Sequence, residues 1–221
     1  MKAYVVIDVE MCKVQKSYRW KNYRYASEII QIGAVMMNEE YEMIGEFSTF
    51  VCPQYGKIDY FIRNLTGITE KDVRTAPSLE DALRSLLLWI GKRDVTFFSW
   101  SEMDYYQIRG EILSKGLSED EMSVFLDKER WTDYQKTVNE RFELGRALSL
   151  RDALELSELD QEGRLHDGLV DAYNTARMIA KLELHPEYRF ELGKLREEEQ
   201  ESEPLCTSLG SLLQGLNLEV A

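Results

Sequence analysis

Five consecutive apolar residues, Ala3 to Ile7, run directly into Asp8-Val9-Glu10. The run is rich in β-branched side chains and too short for an ordinary helix, which predicts a buried strand. Side chains alternate faces along a strand, so Asp8 and Glu10 are expected to point the same way. Residues 28–37 predict a second strand, Asn38-Glu39-Glu40 a turn, and Met43 to Val51 a third strand, together an antiparallel meander closed by Pro53. Thr69 followed by Asp72 predicts a helix cap. Ser78 opens a clearer helix, with Leu79, Ala82, Leu83, Leu86, Leu87 and Ile90 on one face and Gly91 at its end. Val95 to Ser99 predicts a fourth strand, followed by a helix from about Asp104 to Lys115. Further helices are expected over 118–130, over 149–159 and from Gly168 onward, where Ala172, Ala176, Ile179 and Ala180 mark the buried side. A short last strand is expected at 131–134. The pattern predicts an α/β fold: a mixed five-stranded sheet flanked by helices.

Near His185 the character changes. Five glutamates fall within 197–203, and Leu205, Leu209, Leu212, Leu213 and Leu216 follow at roughly helical spacing. The chain therefore divides into a domain over 1–184 and an acidic extension over 185–221. The leucine stripe at 205–216 is expected to dock back on the domain, or else to bind a protein partner, because an exposed stripe is a liability. No internal repeat is present.

At 221 residues and 44% hydrophobic content, the chain has enough material for one good-sized core. No apolar stretch reaches membrane-spanning length, and Met1-Lys2 leads straight into the first strand, so a cytoplasmic location without a signal peptide is expected. Three cysteines without a CxxC pair argue against a disulfide framework and a zinc site. The formal charge of −13 argues against tight nonspecific duplex binding. Residues 13–27 run against that trend. Lys13, Lys16, Arg19, Lys21 and Arg24 alternate with Tyr18, Trp20, Tyr23 and Tyr25, with no acid between. That composition suits phosphates and stacked bases, and substrate contact is preferred over a solvated hairpin loop.

Two like charges at the end of a buried strand are costly unless neutralised, and a divalent metal is the natural partner. D-x-E recurs at Asp127/Glu129 and Asp160/Glu162, but in polar context that reads as surface. Asp104 follows the strand over 95–99, and Asp171 lies in the small-residue helix. His166 is one of only two histidines and sits five residues before Asp171; neutral imidazole accepts protons near physiological pH, which suits a general base. His185 reads as surface.

Asp8-x-Glu10, then Asp104, then His166 and Asp171 resemble the three-motif signature of the DEDDh 3′–5′ exonucleases, the DnaQ-like branch of the ribonuclease H-like fold. The flanks are similar too: Glu28-Ile29-Ile30-Gln31-Ile32-Gly33-Ala34, Leu65-Thr66-Gly67-Ile68, Trp100-x-x-x-Asp104 and His166-x-Gly168-x-x-Asp171-Ala172-x-Asn174-x-Ala176. Trp100 and Met11-Cys12 look most like the Eri-type and KapD-like subgroup. The resemblance spans roughly residues 3–182 and departs at the 13–27 insertion and the leucine-bearing tail. It implies two divalent cations, Mg²⁺ or Mn²⁺, held by Asp8, Glu10, Asp104 and Asp171, with His166 as general base. It also implies 5′-mononucleotide release from the 3′ end of RNA or DNA, single strands favoured, and contact of Met11, Leu65 and Thr66 with the terminal nucleotide. Trp100 is expected to pack behind the site. Two alternatives stand beside this: a proofreading subunit acting within a polymerase complex, and a noncatalytic nucleic-acid-binding module. Retention of all four acids and the histidine disfavours the latter.

Overall fold

The structure, a computed structural model, describes residues 2–15 and 26–190. The centre of the basic-aromatic segment, the acidic run, Cys206 and the leucine stripe at 205–216 lie outside the described residues. Strand β1 (Lys2–Val14) pairs antiparallel with β2 (Ser27–Met37), which pairs antiparallel with β3 (Met43–Phe50). A two-residue strand, β4 (Gly56–Lys57), pairs with the end of β1. Then come α1 (Tyr60–Thr66), α2 (Glu70–Arg74), α3 (Leu79–Ile90), β5 (Asp94–Ser99) and α4 (Met103–Lys115). The chain continues through α5 (Ser123–Leu126), a 3₁₀ turn at Lys128–Arg130, β6 (Trp131–Asp133), α6 (Tyr134–Arg141), α7 (Leu150–Leu156) and α8 (Gly168–Leu184). The sheet order is β3-β2-β1-β5-β6, with β5 and β6 parallel to β1.

The predicted meander and the five-stranded mixed path are therefore present, with β4 as a sixth strand. Ser78 accepts from the Asp81 N–H at the start of α3, and Thr69 forms a capping box with Asp72 on α2. Other boundaries differ. Strand β1 runs four residues past Glu10, because β2 and then β4 supply partners there. The helix expected over 118–130 is reduced to the four residues of α5 and the 3₁₀ turn. Only Met122 and Phe125 are fully buried there, with Val124 and Leu126 partly buried, and Asp127 turns extended to cap the next turn. Helix α7 is shorter than the expected 149–159. Helices α1 and α6 carry no apolar period. Each buries two residues, four apart, and starts at a capping aspartate, Asp59 and Asp133.

Alternation along β1 divides the core. Val5, Ile7 and Val9 join one buried cluster with Leu83, Leu86, Ile108 and Ile112 from α3 and α4. Val6 joins a second, with Val35 and Met37 of β2 and residues of α6, α7 and α8. Asp8 and Glu10 follow Val6 in alternation and so face α8, as predicted from the strand period. Phe190, beyond α8, stacks on Phe142 and belongs to this second cluster. No helix among the described residues is long and apolar enough to cross a membrane.

One contact sets where α8 begins. Gly33 pairs with Asp8 across the sheet, and a Cβ on Gly33 would lie 2.0 Å from the Gly168 carbonyl carbon. A Cβ on Gly168 would lie 3.1 Å from the Asp8 carbonyl oxygen. The helix start therefore rests on the strands backbone against backbone, which requires glycine at 33 and leaves little room for a side chain at 168. Gln31, buried in β2 opposite Glu10, locks the approach. Its Oε1 accepts from the Gly168 N–H at 3.1 Å and its Nε2 donates to Asp167 Oδ1 at 3.2 Å.

A buried ionic knot holds the other side of the sheet. Glu28 is fully buried and accepts from the N–H groups of Gln54 (3.0 Å), Tyr55 (2.6 Å) and Gly56 (2.5 Å). Lys115 Nζ bridges Glu28 at 2.7 Å and Glu111 at 2.9 Å, while Glu111 also accepts from Ile29 N at 2.6 Å. The knot ties β2, the turn before β4 and α4 together. Such buried charges are tolerated because each is hydrogen-bonded as well as paired.

Gly33→Ala is expected to lower the melting temperature by roughly 10 °C, the upper range for overpacking in a domain of this size. Circular-dichroism melts check this, and an unchanged midpoint would mean that the helix start is not packed as described.

Candidate active site

Past Val6, β1 has no further partner in β5. Its free edge donates the Val9 N–H to Asp104 Oδ1 at 3.1 Å, which seats the first turn of α4 between Asp8 and Glu10. From the opposite side, α8 brings Asp171 in its first turn. His166 lies just before α8 in a left-handed conformation, φ 64°, and its N–H donates to Asp171 Oδ2 at 2.8 Å. Ligating atoms of Glu10, His166 and Asp171 lie within 4.8 Å of one another, close enough to hold one ion together. Asp171 Oδ1 is buried and has no hydrogen-bond partner among the described residues. Asp8 is partly exposed, whereas Glu10, Asp104 and Asp171 are buried.

The electrostatics match this crowding. Burial, then the charges of Asp104, Asp171 and Glu10, raise the Asp8 carboxyl well above its ordinary range. Burial, then Asp171 and Asp104, does the same to Glu10. Burial pushes Asp104 up to about 7 against the opposing pull of the Val9 hydrogen bond. Burial pushes Asp171 up to about 7 despite its bond from the His166 N–H. Burial and the nearby Arg164 lower His166, which favours neutral imidazole. The site gathers like charges that repel one another, a repulsion that a cation would relieve. Carboxylate oxygens are donors for hard divalent ions, and the unsatisfied Asp171 Oδ1 gives such an ion a ready ligand.

The family model described as Exonuclease (RNase_T) matches residues 5–179. The chain belongs to the DEDDh 3′–5′ exonuclease family. Among curated relatives, 3′-5′ exoribonuclease 1 of Rattus norvegicus is 25% identical over 170 residues, covering 72% of this chain and 47% of that protein. ERI1 exoribonuclease 2 of Danio rerio is 28% identical over 201 residues, covering 80% of this chain and 34% of that protein. The chain thus spans about half or less of the length of these relatives. The nuclease domain of 3′hExo, described as a DEDDh family member bound to rAMP, superposes with a TM-score of 0.69 at 21% identity, covering 82% of this chain and 92% of that one. That likeness supports the ribonuclease H-like fold.

Within this DEDDh frame, the structure brings Asp8, Glu10, Asp104, His166 and Asp171 to one place. Of the three residues expected at the terminal nucleotide, two are buried and one is partly buried. Met11 is buried in the first core cluster, beyond a bulge between Glu10 and Met11. Leu65 is partly buried at the end of α1. Thr66 is buried, its hydroxyl donating to Ile62 O at 2.9 Å and accepting from Ile68 N at 3.0 Å. Trp100 is 7% exposed and packs in the second cluster, as expected. His185 is exposed beside Glu187. Sequence reasoning did not single out Asp167, the α8 cap, or Asp133 at the end of β6, although both carboxylates raise the acids of the site. Nor did it assign a role to Gln31, a buried amide flanked by Ile30 and Ile32 in β2.

The raised carboxyls give a pH prediction. A carboxyl that binds its proton more tightly folded than unfolded lowers stability as pH rises from its ordinary range near 4 through its folded value near 7. The metal-free protein is therefore expected to melt several degrees higher near pH 5.5 than near pH 8. Asp171→Asn should recover much of the difference at the higher pH. Calorimetry at both pH values checks this, and equal midpoints for wild type and Asp171→Asn near pH 8 would contradict it.

Proposed function

We propose that this chain is a metal-dependent 3′–5′ exonuclease that releases 5′-mononucleotides from the 3′ end of single-stranded nucleic acid, RNA ahead of DNA. The observation that carries the reading is the convergence of four carboxylates and one imidazole from β1, α4 and the start of α8 on one point. The preference for RNA rests on the two relatives named exoribonucleases.

Asp8, Glu10, Asp104 and Asp171 would hold two divalent ions, Mg²⁺ or Mn²⁺, which when bound would supply charge to acidify a water and to stabilise a departing 3′ oxygen. The chain's own part is positional and basic. Asp104, pinned by the Val9 N–H, keeps one carboxylate oriented toward the strand pair. Asp171, pinned through Oδ2 by the His166 N–H, leaves Oδ1 for the ion. His166, kept neutral by burial and by Arg164, takes the proton from the attacking water. Met11, Leu65 and Thr66 receive the terminal nucleotide.

Asp8→Ala and Asp171→Ala are each expected to lower hydrolysis by about a thousandfold or more with the fold intact. Digestion of 3′-labelled single-stranded and duplex RNA and DNA with Mn²⁺ tests both this and the substrate order. Full activity in either purified variant would refute the assignment. His166→Ala is expected to cut turnover by about a hundredfold to ten-thousandfold while Mn²⁺ still binds. Its ring lies near enough to Glu10 and Asp171 to be a ligand, so lost Mn²⁺ binding in calorimetric titration would make it one.

A further inference from the structure

Arg164 lies two residues before His166 and is exposed, yet its guanidinium is not free in solvent. Its Nη2 donates to the carbonyls of Asn64 at 2.5 Å and Leu65 at 3.1 Å, about a hundred residues away in sequence. These carbonyls belong to the last turn of α1, where intrahelical partners run out, and a guanidinium is well shaped to take two of them. Among the described residues, these two bonds are the only hydrogen bonds joining the 160–167 loop to α1. Gly67, the next turn residue, makes room for the contact. It sits at φ 80°, and a Cβ there would lie 2.6 Å from Arg164 Nη1. Gly67 is also the left-handed cap that ends α1, so the guanidinium sits directly against the helix terminus.

The loop that Arg164 belongs to is fastened at its other end to α8. Asn174 exchanges two hydrogen bonds with the Glu162 backbone, 2.8 and 3.1 Å, and Arg177 donates to Asp160 O at 2.7 Å. His166 sits in a left-handed conformation that a non-glycine residue adopts only when its surroundings hold it. Between Asn174 and the His166 N–H, Arg164 is the anchor on the side of Leu65 and Thr66.

We infer that Arg164 is a positioning residue that fixes the spacing between His166 and the Leu65–Thr66 turn, so that the base and the seat of the 3′-terminal nucleotide move as one body. This rests on the proposed nuclease reading for the roles of those residues. It predicts a joint effect: removing the guanidinium loosens the nucleotide seat and the base together. A simple surface cap would change stability alone.

The test uses the full chain with Mn²⁺, and 5′-AMP as a probe of the terminal-nucleotide seat. Arg164→Ala is expected to lower kcat by about tenfold to a hundredfold and to weaken AMP binding by about tenfold, with the melting temperature within a few degrees of wild type. Arg164→Lys, which can still reach a carbonyl with one ammonium, is expected to recover part of both losses. Unchanged kcat and AMP affinity in Arg164→Ala would overturn the inference. So would a fall in kcat with AMP binding intact, or losses that only track a large drop in melting temperature. If wild type hydrolyses no more than Asp8→Ala, the nuclease reading fails, and the AMP titration still judges Arg164; a wild type that binds no AMP would overturn the inference as well.

Discussion

The backbone contact between Gly33 and Gly168 is what makes the site possible. Asp171 lies one turn into α8, and Asp8 and Glu10 lie on the strand beside β2. A Cβ on Gly33 would lie 2.0 Å from the Gly168 carbonyl carbon, so a side chain there would push helix and strand apart and separate the carboxylates. Gln31 then sets the rotation of the helix start by holding both the Asp167 carboxylate and the Gly168 N–H. The helix N-terminus is thus fixed in height by missing side chains and in angle by one amide.

That arrangement gathers charges that repel, so the scaffold must hold them against their own field. It does so with hydrogen bonds to single carboxylate oxygens, Val9 to Asp104 Oδ1 and His166 to Asp171 Oδ2, the latter leaving Asp171 Oδ1 without a partner among the described residues. The fold gives up stability locally at neutral pH to keep a set of oxygens preorganised for a cation. Stability is restored elsewhere by the two apolar clusters.

The parts of this design that follow a period were legible in the sequence. Strand alternation put Asp8 and Glu10 on one face, and the helical spacing of leucines located α3. Asp104, His166 and Asp171 were legible only as a constellation, since each alone has an ordinary surface reading. Helices α1 and α6 were not legible because each buries a single pair of residues and is held mainly by its cap. Arg164, Gln31, Asp133 and Asp167 were not legible either. Arg164 and Gln31 act by bonding backbone groups or a cap brought near by the register of distant segments, and Asp133 and Asp167 act through the field they add to the site. No local pattern encodes those distances. The expected role of Met11 came from resemblance, whereas the bulge after Glu10 is a property of the strand pairing and left no mark on the hydrophobic pattern.

The ionic knot has a further consequence for how such a chain can vary. Val14 donates to Ala26 O at 2.8 Å, the Ser27 hydroxyl bonds Gln107, and Glu28 binds the turn before β4, so the chain leaves and re-enters the sheet through a rigid socket. The socket isolates Glu10 mechanically from the sequence inserted between its two rims. Because the entropy of closing a loop grows only with the logarithm of its length, that sequence is free to be lengthened or replaced at small thermodynamic expense.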